Sequence, residues 1–403
     1  MSALKGALQE LANSVQGVTL EREGVDTLVE GDITNLLEAG RRLDARKRQP
    51  GYEAKLKEAA DIIAKAMKSR YGNVVLQEAL RTSEFPTYFG DVLDRTLLAR
   101  FTEWVPQFPA YLKIGTFTDF TRSKRITQTL GGTEPLEQVG EFGPYPERGV
   151  VQTHYGWRGA KYGADFRISW HMLLADDLGA FTDFPALLAS AARQAEMRFA
   201  TELYVDANGP HASLINSSNG NLLTGNPPLS VESLETAYTV FNQMVDPVTG
   251  NPIMNRPAVL VVPPALEVTA RKILTATQVQ QQDSATPVVT NSIIPNFGLR
   301  LVVDPYIPIV ASNANGSTSW FLFADPNNGP LGPGLAAAQF DRLRGMESPL
   351  LLQRVPAFTS VGGGADPRGP LDENESITYR VVHAFGGGQL TWQAVVGSNG
   401  SGS

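Results

Sequence analysis

The stretch Gly131–Val151, GGTEPLEQVGEFGPYPERGVV, holds five glycines and three prolines. Glycine carries a large backbone entropy cost and proline has no N–H to donate, so this cannot be the interior of a helix or of a buried strand. On one side lies Ile114–Leu130, IGTFTDFTRSKRITQTL, rich in β-branched and aromatic residues. On the other lies Val151–Trp170, VQTHYGWRGAKYGADFRISW, again strand-like but broken by Gly156, Gly159 and Gly163. Two extended runs around a turn-rich segment predict a long hairpin-like ribbon with Gly131–Val151 at its tip. The tip has no obvious catalytic group. A lone two-stranded ribbon is marginally stable in water, so this one is expected to rest on another molecule.

Working outward, residues 1 to about 88 read as a polar helical arm. Tyr52–Gly72, YEAKLKEAADIIAKAMKSRYG, places Leu56, Ala59, Ile62, Ile63, Ala66 and Met67 at three- and four-residue spacing, and Gly72 follows as a stop. From Arg41 to Arg70 there are ten basic residues, among them Arg41, Arg42, Arg46, Lys47 and Arg48, against four acidic ones. That run reads either as a solvated helical face or as a contact for a polyanion. A second amphipathic segment, Asp91–Trp104, ends before Pro106 and Pro109.

Beyond the ribbon, Phe181–Asn208 predicts the longest helix, roughly 35–40 Å of rod. Thr182 or Asp183 would cap it, Pro185 would sit in its first turn, and Arg198–Glu202 would pair on its surface. Phe184, Leu188, Ala191, Ala195, Phe199 and Leu203 trace one apolar stripe along it. Residues 209–345 then alternate helix and strand. Ser230 is placed to cap a helix, with Leu229 and Leu234 as a hydrophobic staple. Pro257–Pro264, Phe297–Pro308 and Thr318–Pro326 read as strands. Ser376–Val396 reads as two antiparallel strands turning at Gly386–Gly388, followed by a frayed tail. The expected class is α+β with a mixed sheet.

Composition narrows the function. The 403 residues are 42% hydrophobic and 19% charged, with a net charge of −7. These values describe a soluble globular chain and argue against a dedicated nucleic-acid binder. There are no cysteines, which removes disulfide scaffolds, thiolate zinc sites and thiol nucleophiles. No run of about 18 apolar residues occurs, and the first residues do not read as a secretory signal, so a soluble chain made inside the cell is expected. None of the four histidines, His154, His171, His211 and His383, is three or four residues from another. Gly332, Gly334 and Ala337 fit the spacing of a dinucleotide loop, but ADPNNGPL separates them from the preceding strand, so a turn suffices. Asp325–Gly329 and Asp246–Asn251 lack the calcium-loop spacing and read as turns. Asp176 and Asp177 are adjacent and would point apart on a helix. No enzyme activity, metal or cofactor is expected.

The order of parts resembles the major capsid proteins of tailed bacteriophages, the Hong Kong 97-type fold. The residues carrying the resemblance run from about Glu84 to Val396. They are TRSKRITQTLGGTEPLEQVGE entering the ribbon, LYVDANG ending the long helix, AVLVVPPALEVTARKIL, NFGLRLVVDPYIP and ITYRVVHAFGGGQLTWQAVV. The resemblance implies an N-terminal arm (1–88) and the start of a peripheral domain (89–127). An extended loop (128–168) and a spine-helix region (169–211) follow. An axial domain (212–345), returning peripheral strands (346–396) and a flexible tail (397–403) complete the chain. It implies a shell subunit forming hexamers and pentamers around double-stranded DNA in a virion, assembled in the host cytoplasm. Scaffold, portal and decoration proteins are further implied partners, with no membrane.

By the same resemblance, the loop reaches an adjacent subunit through Glu134, Glu137, Glu141, Tyr145, Glu147, Arg148, Trp157 and Arg158. Arg41, Arg42, Arg46, Lys47 and Arg48 would face the packaged DNA. Some family members cross-link through a loop lysine. None lies between Arg125 and Ala160, and Lys161 stands at the loop's base, so cross-linking is not expected here. The alternative of the same fold is an encapsulin-like compartment shell. A hydrolase or a binding module would need features that this chain does not display.

Overall fold

The computed structural model describes residues 94, 97–128, 138–139, 152–169, 178–245, 250, 252–253, 255–275, 278–283, 286–291, 298–328, 335–354 and 376–402. The chain divides into two compact units. The first comprises residues 1–105, 161–194 and 343–384; the second comprises 106–160, 195–342 and 385–403. Both mix helix and strand, as the α+β class requires.

The second unit begins with a short 3-10 turn, Phe108–Ala110, and strand β1, Lys113–Phe117. The expected continuous run to Leu130 is broken after β1: Asp119 accepts from the backbone N–H of Thr121 at 2.9 Å, which bends the chain. Strand β2, Ser123–Gln128, then pairs antiparallel with β3, Gln152–Trp157, in register from Ser123↔Trp157 to Gln128↔Gln152. This is the ribbon expected below the glycine- and proline-rich tip. The tip itself lies outside the described residues, apart from Gln138 and Val139. After Arg158 the chain enters β4, Gly159–Ser169, which runs on into the first unit.

Helix α1 spans Leu178–Glu202, so it starts and stops earlier than expected. Pro185 falls inside the helix rather than in its first turn. LYVDANG leaves the helix for a tight antiparallel pair, β5 (Val205–Asp206) with β6 (Gly209–Pro210). The expected stripe holds only in part: Leu203 is buried, and the side chain of Phe184 lies outside the described residues. Ala189, Ala192, Arg193, Glu196 and Ala200 are buried, whereas Ala191 is exposed and Leu188, Ala195 and Phe199 are half-buried. Alanines allow close approach, and the two buried charges bring their own partners. An apolar-size pattern registers neither.

The second unit's core sheet has the order β10-β7-β11-β15. Strand β7, Pro257–Val262, is joined by helix α3 (Glu267–Thr275) and by the pair β8 (Gln278–Asp283) and β9 (Thr286–Asn291) to β10, Arg300–Val303. β10 lies parallel to β7. Strand β11, Trp320–Ala324, is antiparallel to β7 and buried along its whole length. Helix α2, Val231–Asn242, is capped as expected: Ser230 and Ser233 form a reciprocal capping box, and Leu229 and Leu234 are buried. A four-residue helix, α4, covers Ile307–Val310.

The expected frayed tail is instead part of this core. Strand β15, Val395–Ser398, is fully buried and pairs with β11. Ser398 donates to the Pro227 carbonyl at 2.7 Å, and Gly402 N–H donates to the Asn226 carbonyl at 2.8 Å. Val395 and Val396 place two apolar side chains in the core, and the backbone ladder holds the small residues that follow.

The closing strands also differ from expectation. β14 is one continuous strand, Ser376–Gln389, passing through the three glycines. Its last residues pair with β12, Ala338–Leu343, in the second unit; its earlier ones pair with β13, Leu350–Gln353, in the first. The glycines serve close approach rather than a turn. A Cβ on Gly386 would stand 2.7 Å from the Cα of Gly159 and 2.8 Å from the Arg158 carbonyl oxygen; on Gly388 it would stand 2.7 Å from the Trp157 ring. Gly386→Ala must therefore push two backbones apart. It will cost about 1–3 kcal/mol of stability, seen as a lowered thermal midpoint with secondary structure retained.

In the first unit, residues 97–103 are helical, and Leu97 and Phe101 face inward one turn apart. They pack with Ala189 and Ala192 of α1 and Val381 of β14, with Leu188 and Leu351 alongside. Arg193 is buried in this cluster. Its Nε–H donates to the Phe101 carbonyl at 2.9 Å, and its guanidinium lies 3.5 Å from the Phe101 ring centroid. His383, at 2% exposure, meets the same ring edge-on at 5.7 Å.

Candidate functional site

The ribbon base is the part of the expected contact surface that the structure describes. Trp157 ends β3, and its indole is buried within its own chain rather than presented outward. The indole N–H donates to Asp341 Oδ2 on β12 at 2.8 Å, and Gly388 forms the wall against the ring. Gln339 donates its side-chain N–H to the other oxygen of the same carboxylate. Asp341 is 2% exposed, so both oxygens are committed inside the subunit. Trp157 therefore anchors the ribbon, which the sequence could not show because its partner is 184 residues away. Arg158 is exposed beside it. Glu134, Glu137, Glu141, Tyr145, Glu147 and Arg148, and the arm residues Arg41, Arg42, Arg46, Lys47 and Arg48, lie outside the described residues. So do His171, Asp176 and Asp177.

The ionisable clusters elsewhere in the second unit tie elements together. Asp304 follows β10 and is 4% exposed. Its Oδ2 accepts from Thr201 at 2.6 Å and Tyr204 at 2.5 Å, with Tyr111 at 3.5 Å; Oδ1 accepts from the Tyr306 N–H at 2.8 Å. Burial raises its carboxyl above the ordinary range, partly offset by these donors, and burial likewise raises the hydroxyls of Tyr111 and Tyr204. The recess beside Asp304, lined by Phe108, Tyr111, Met197 and Val302, offers about 10 Å³, room for a single water but not for a substrate. A second cluster joins α1 to β12: Arg342 donates from Nε to Glu196 Oε1 at 2.7 Å and from a terminal nitrogen to Oε2 at 3.2 Å.

Groups that could have carried chemistry are engaged in turns. His211 and Ser213 are in contact at 2.9 Å, but the Ser213 hydroxyl donates to Gln389, which in turn donates to the Leu203 carbonyl. Asp325 accepts from the N–H groups of Asn327 and Asn328 at 2.8 and 3.2 Å, the turn geometry expected of DPNNG. The stretch following Gly332 and Gly334 enters strand β12, not the helix a dinucleotide loop needs. Among the described residues no cluster of His, Asp and Glu could hold a metal ion, and no helix is long and apolar enough to cross a membrane.

The family model for phage capsid proteins matches residues 157–398, more than half of the chain. The chain belongs to the phage capsid protein family. No curated protein matches the capsid protein. Solved structures similar to it include a phage-related protein from Bordetella bronchiseptica, at 12% identity over 77% of this chain and 97% of that one, TM-score 0.44. A chain from Gordonia phage Cozz is 12% identical over 73% of this chain and 87% of that one, TM-score 0.39. An encapsulin of Synechococcus elongatus is 13% identical over 76% of this chain and 89% of that one, TM-score 0.39. The expected family and the α+β class both hold, and the match begins at Trp157, the residue that anchors the ribbon.

Proposed function

We propose that this capsid protein is the major shell subunit of a phage head with the Hong Kong 97-type fold. Its copies associate into hexamers and pentamers that close an icosahedral or prolate shell around double-stranded DNA. The observation carrying this reading is the family match over residues 157–398, beside a paired ribbon, β2–β3, that leads into an acidic tip. In this reading the tip residues Glu134, Glu137, Glu141, Tyr145, Glu147 and Arg148, with exposed Arg158 at the base, meet an adjacent subunit. The arm residues Arg41, Arg42, Arg46, Lys47 and Arg48 face the packaged DNA. A chain of net charge −7 holds phosphate weakly elsewhere, as a container that must release its contents should. Scaffold and portal proteins act with it in the host cytoplasm, and the finished protein resides in the virion.

The test is expression of the chain followed by negative-stain electron microscopy and light scattering. Closed particles, or capsomers in exchange with them, are expected. Removing Glu134–Arg148 will leave the far-ultraviolet circular dichroism of the subunit largely unchanged and stop particle formation. Particles that form as readily without the tip would overturn the contact role of the loop.

A further inference from the structure

Strand β13 ends its sheet, bonded on one side to β14. The Arg354 N–H donates to the Thr378 carbonyl at 2.9 Å, so by the alternation of an antiparallel ladder Leu350 and Leu352 also turn their backbone groups toward β14. Leu351 and Gln353 turn theirs outward. An outward row of this kind is a template on which another strand can add. Here its first N–H is already taken: Leu351 donates to Asp94 Oδ1 at 3.2 Å, from a residue 257 positions earlier in the chain. Asp94 is held in place by its own segment. Leu97, three residues on, and Phe101 are buried against Val381 and Leu351, which fixes that helical stretch on one face of the sheet and lets the carboxylate reach the edge. The other face carries Leu352, 44% exposed.

We infer that Asp94 guards this edge, closing it to the β13 strand of a second copy. The occupant follows from the geometry of the edge itself. Two copies related by a twofold axis can pair antiparallel with Leu352 opposite Leu352. That register sets Leu351 of each copy against Gln353 of the other, and it uses the outward N–H and carbonyl groups of both strands. Centring the pair on a neighbouring residue would leave part of each outward row unmatched within the strand. The same register brings the two exposed leucines face to face, where a cross-strand apolar pair adds stability. It needs the Leu351 N–H, the group that Asp94 occupies. The inference is independent of the shell reading, because it concerns a contact that the subunit avoids.

The experiment uses the full chain, which has no cysteine, so Leu352→Cys is a single reporter. In the inferred register the two Cα atoms would stand about 4.5 Å apart, within the span of a disulfide. Under air, Leu352→Cys with Asp94→Ala will give disulfide-linked dimers on a non-reducing gel, about tenfold or more above Leu352→Cys alone, because a hydrogen bond to a carboxylate no longer closes the edge. Leu352→Cys with Asp94→Asn keeps an acceptor oxygen and will stay at the low level. Adding Gln353→Pro to the alanine chain will abolish the dimers, since proline removes an outward N–H and leaves the β14 ladder untouched. Circular dichroism confirms that each chain folds. Dimers at one level in every background overturn the inference, and so does an alanine chain that forms none. Dimers that survive Gln353→Pro would come from a loosened helical segment rather than an open edge, and equally overturn it. Particle formation is scored separately by microscopy, so its failure sinks the shell reading alone.

Discussion

Replacing Arg342 by methionine will lower stability by about 3–5 kcal/mol, the largest loss expected of any single substitution considered for this capsid protein. Glu196 is fully buried and Arg342 is 18% exposed at its side chain, and the two meet through a two-pronged contact at 2.7 and 3.2 Å. The Arg342 guanidinium also stands 5.4 Å from the Phe340 ring centroid. Methionine keeps the aliphatic length but takes the two-pronged guanidinium contact from a buried carboxylate, so less of the solvation lost on folding is returned. Converting both residues to methionine removes the buried charge together with the Arg342 contact, so the double variant will recover much of the loss. The check is urea unfolding followed by tryptophan fluorescence, for which Trp157, Trp320 and Trp392 report within the same unit. A single variant within 1 kcal/mol of wild type would show that the pair is not a fastening.

Asp304→Ala will cost about 3 kcal/mol, because three donors lose their acceptor where water has little access. Thr201 of α1, Tyr204 just after it and the Tyr306 N–H all converge on this carboxylate. Asp304→Asn preserves the shape and isolates the charge. Burial raises the folded carboxyl above its ordinary range, so the native state binds the proton more tightly than the unfolded chain does. The stability due to that difference is complete below the ordinary carboxyl range and is lost as the pH rises through the raised value. The stability of wild type relative to Asp304→Asn will therefore increase as the pH falls from 7 toward 4. Denaturant midpoints of both proteins at several pH values measure it, and a constant difference would show that Asp304 does not titrate within the fold.

Which parts of this capsid protein were legible in the chain depends on how local their causes are. Ser230 caps α2 because its hydroxyl needs only the N–H three residues ahead. β7 and β11 were legible because a fully buried strand reads as an unbroken apolar run, AVLVV or WFLFA. The ribbon β2–β3 was legible from two strand-like runs around a segment that nothing regular can hold. The face of α1 was not, because it is built from alanines and from the charges Arg193 and Glu196, whose burial is tolerable only through groups on other elements. Gly386–Gly388 was read as a turn because a glycine run looks the same whether the chain reverses or a neighbour presses against it.

By itself, then, the sequence determined the α+β class, the ribbon with its acidic tip, the absence of cysteine chemistry and the family to which the chain belongs. The class, the ribbon and the missing cysteines follow from composition, short-range periodicity and turn chemistry, which act over a few residues; the family follows from the resemblance of the ordered parts and the family match over residues 157–398. Tertiary structure alone decided that Trp157 is an anchor, that β14 passes straight through its glycines, that the last residues close a core sheet, and that Glu196 meets Arg342. Each of those depends on what stands opposite a residue in space. A buried charge or a missing Cβ acquires its sign, stabilising or ruinous, only from that neighbour.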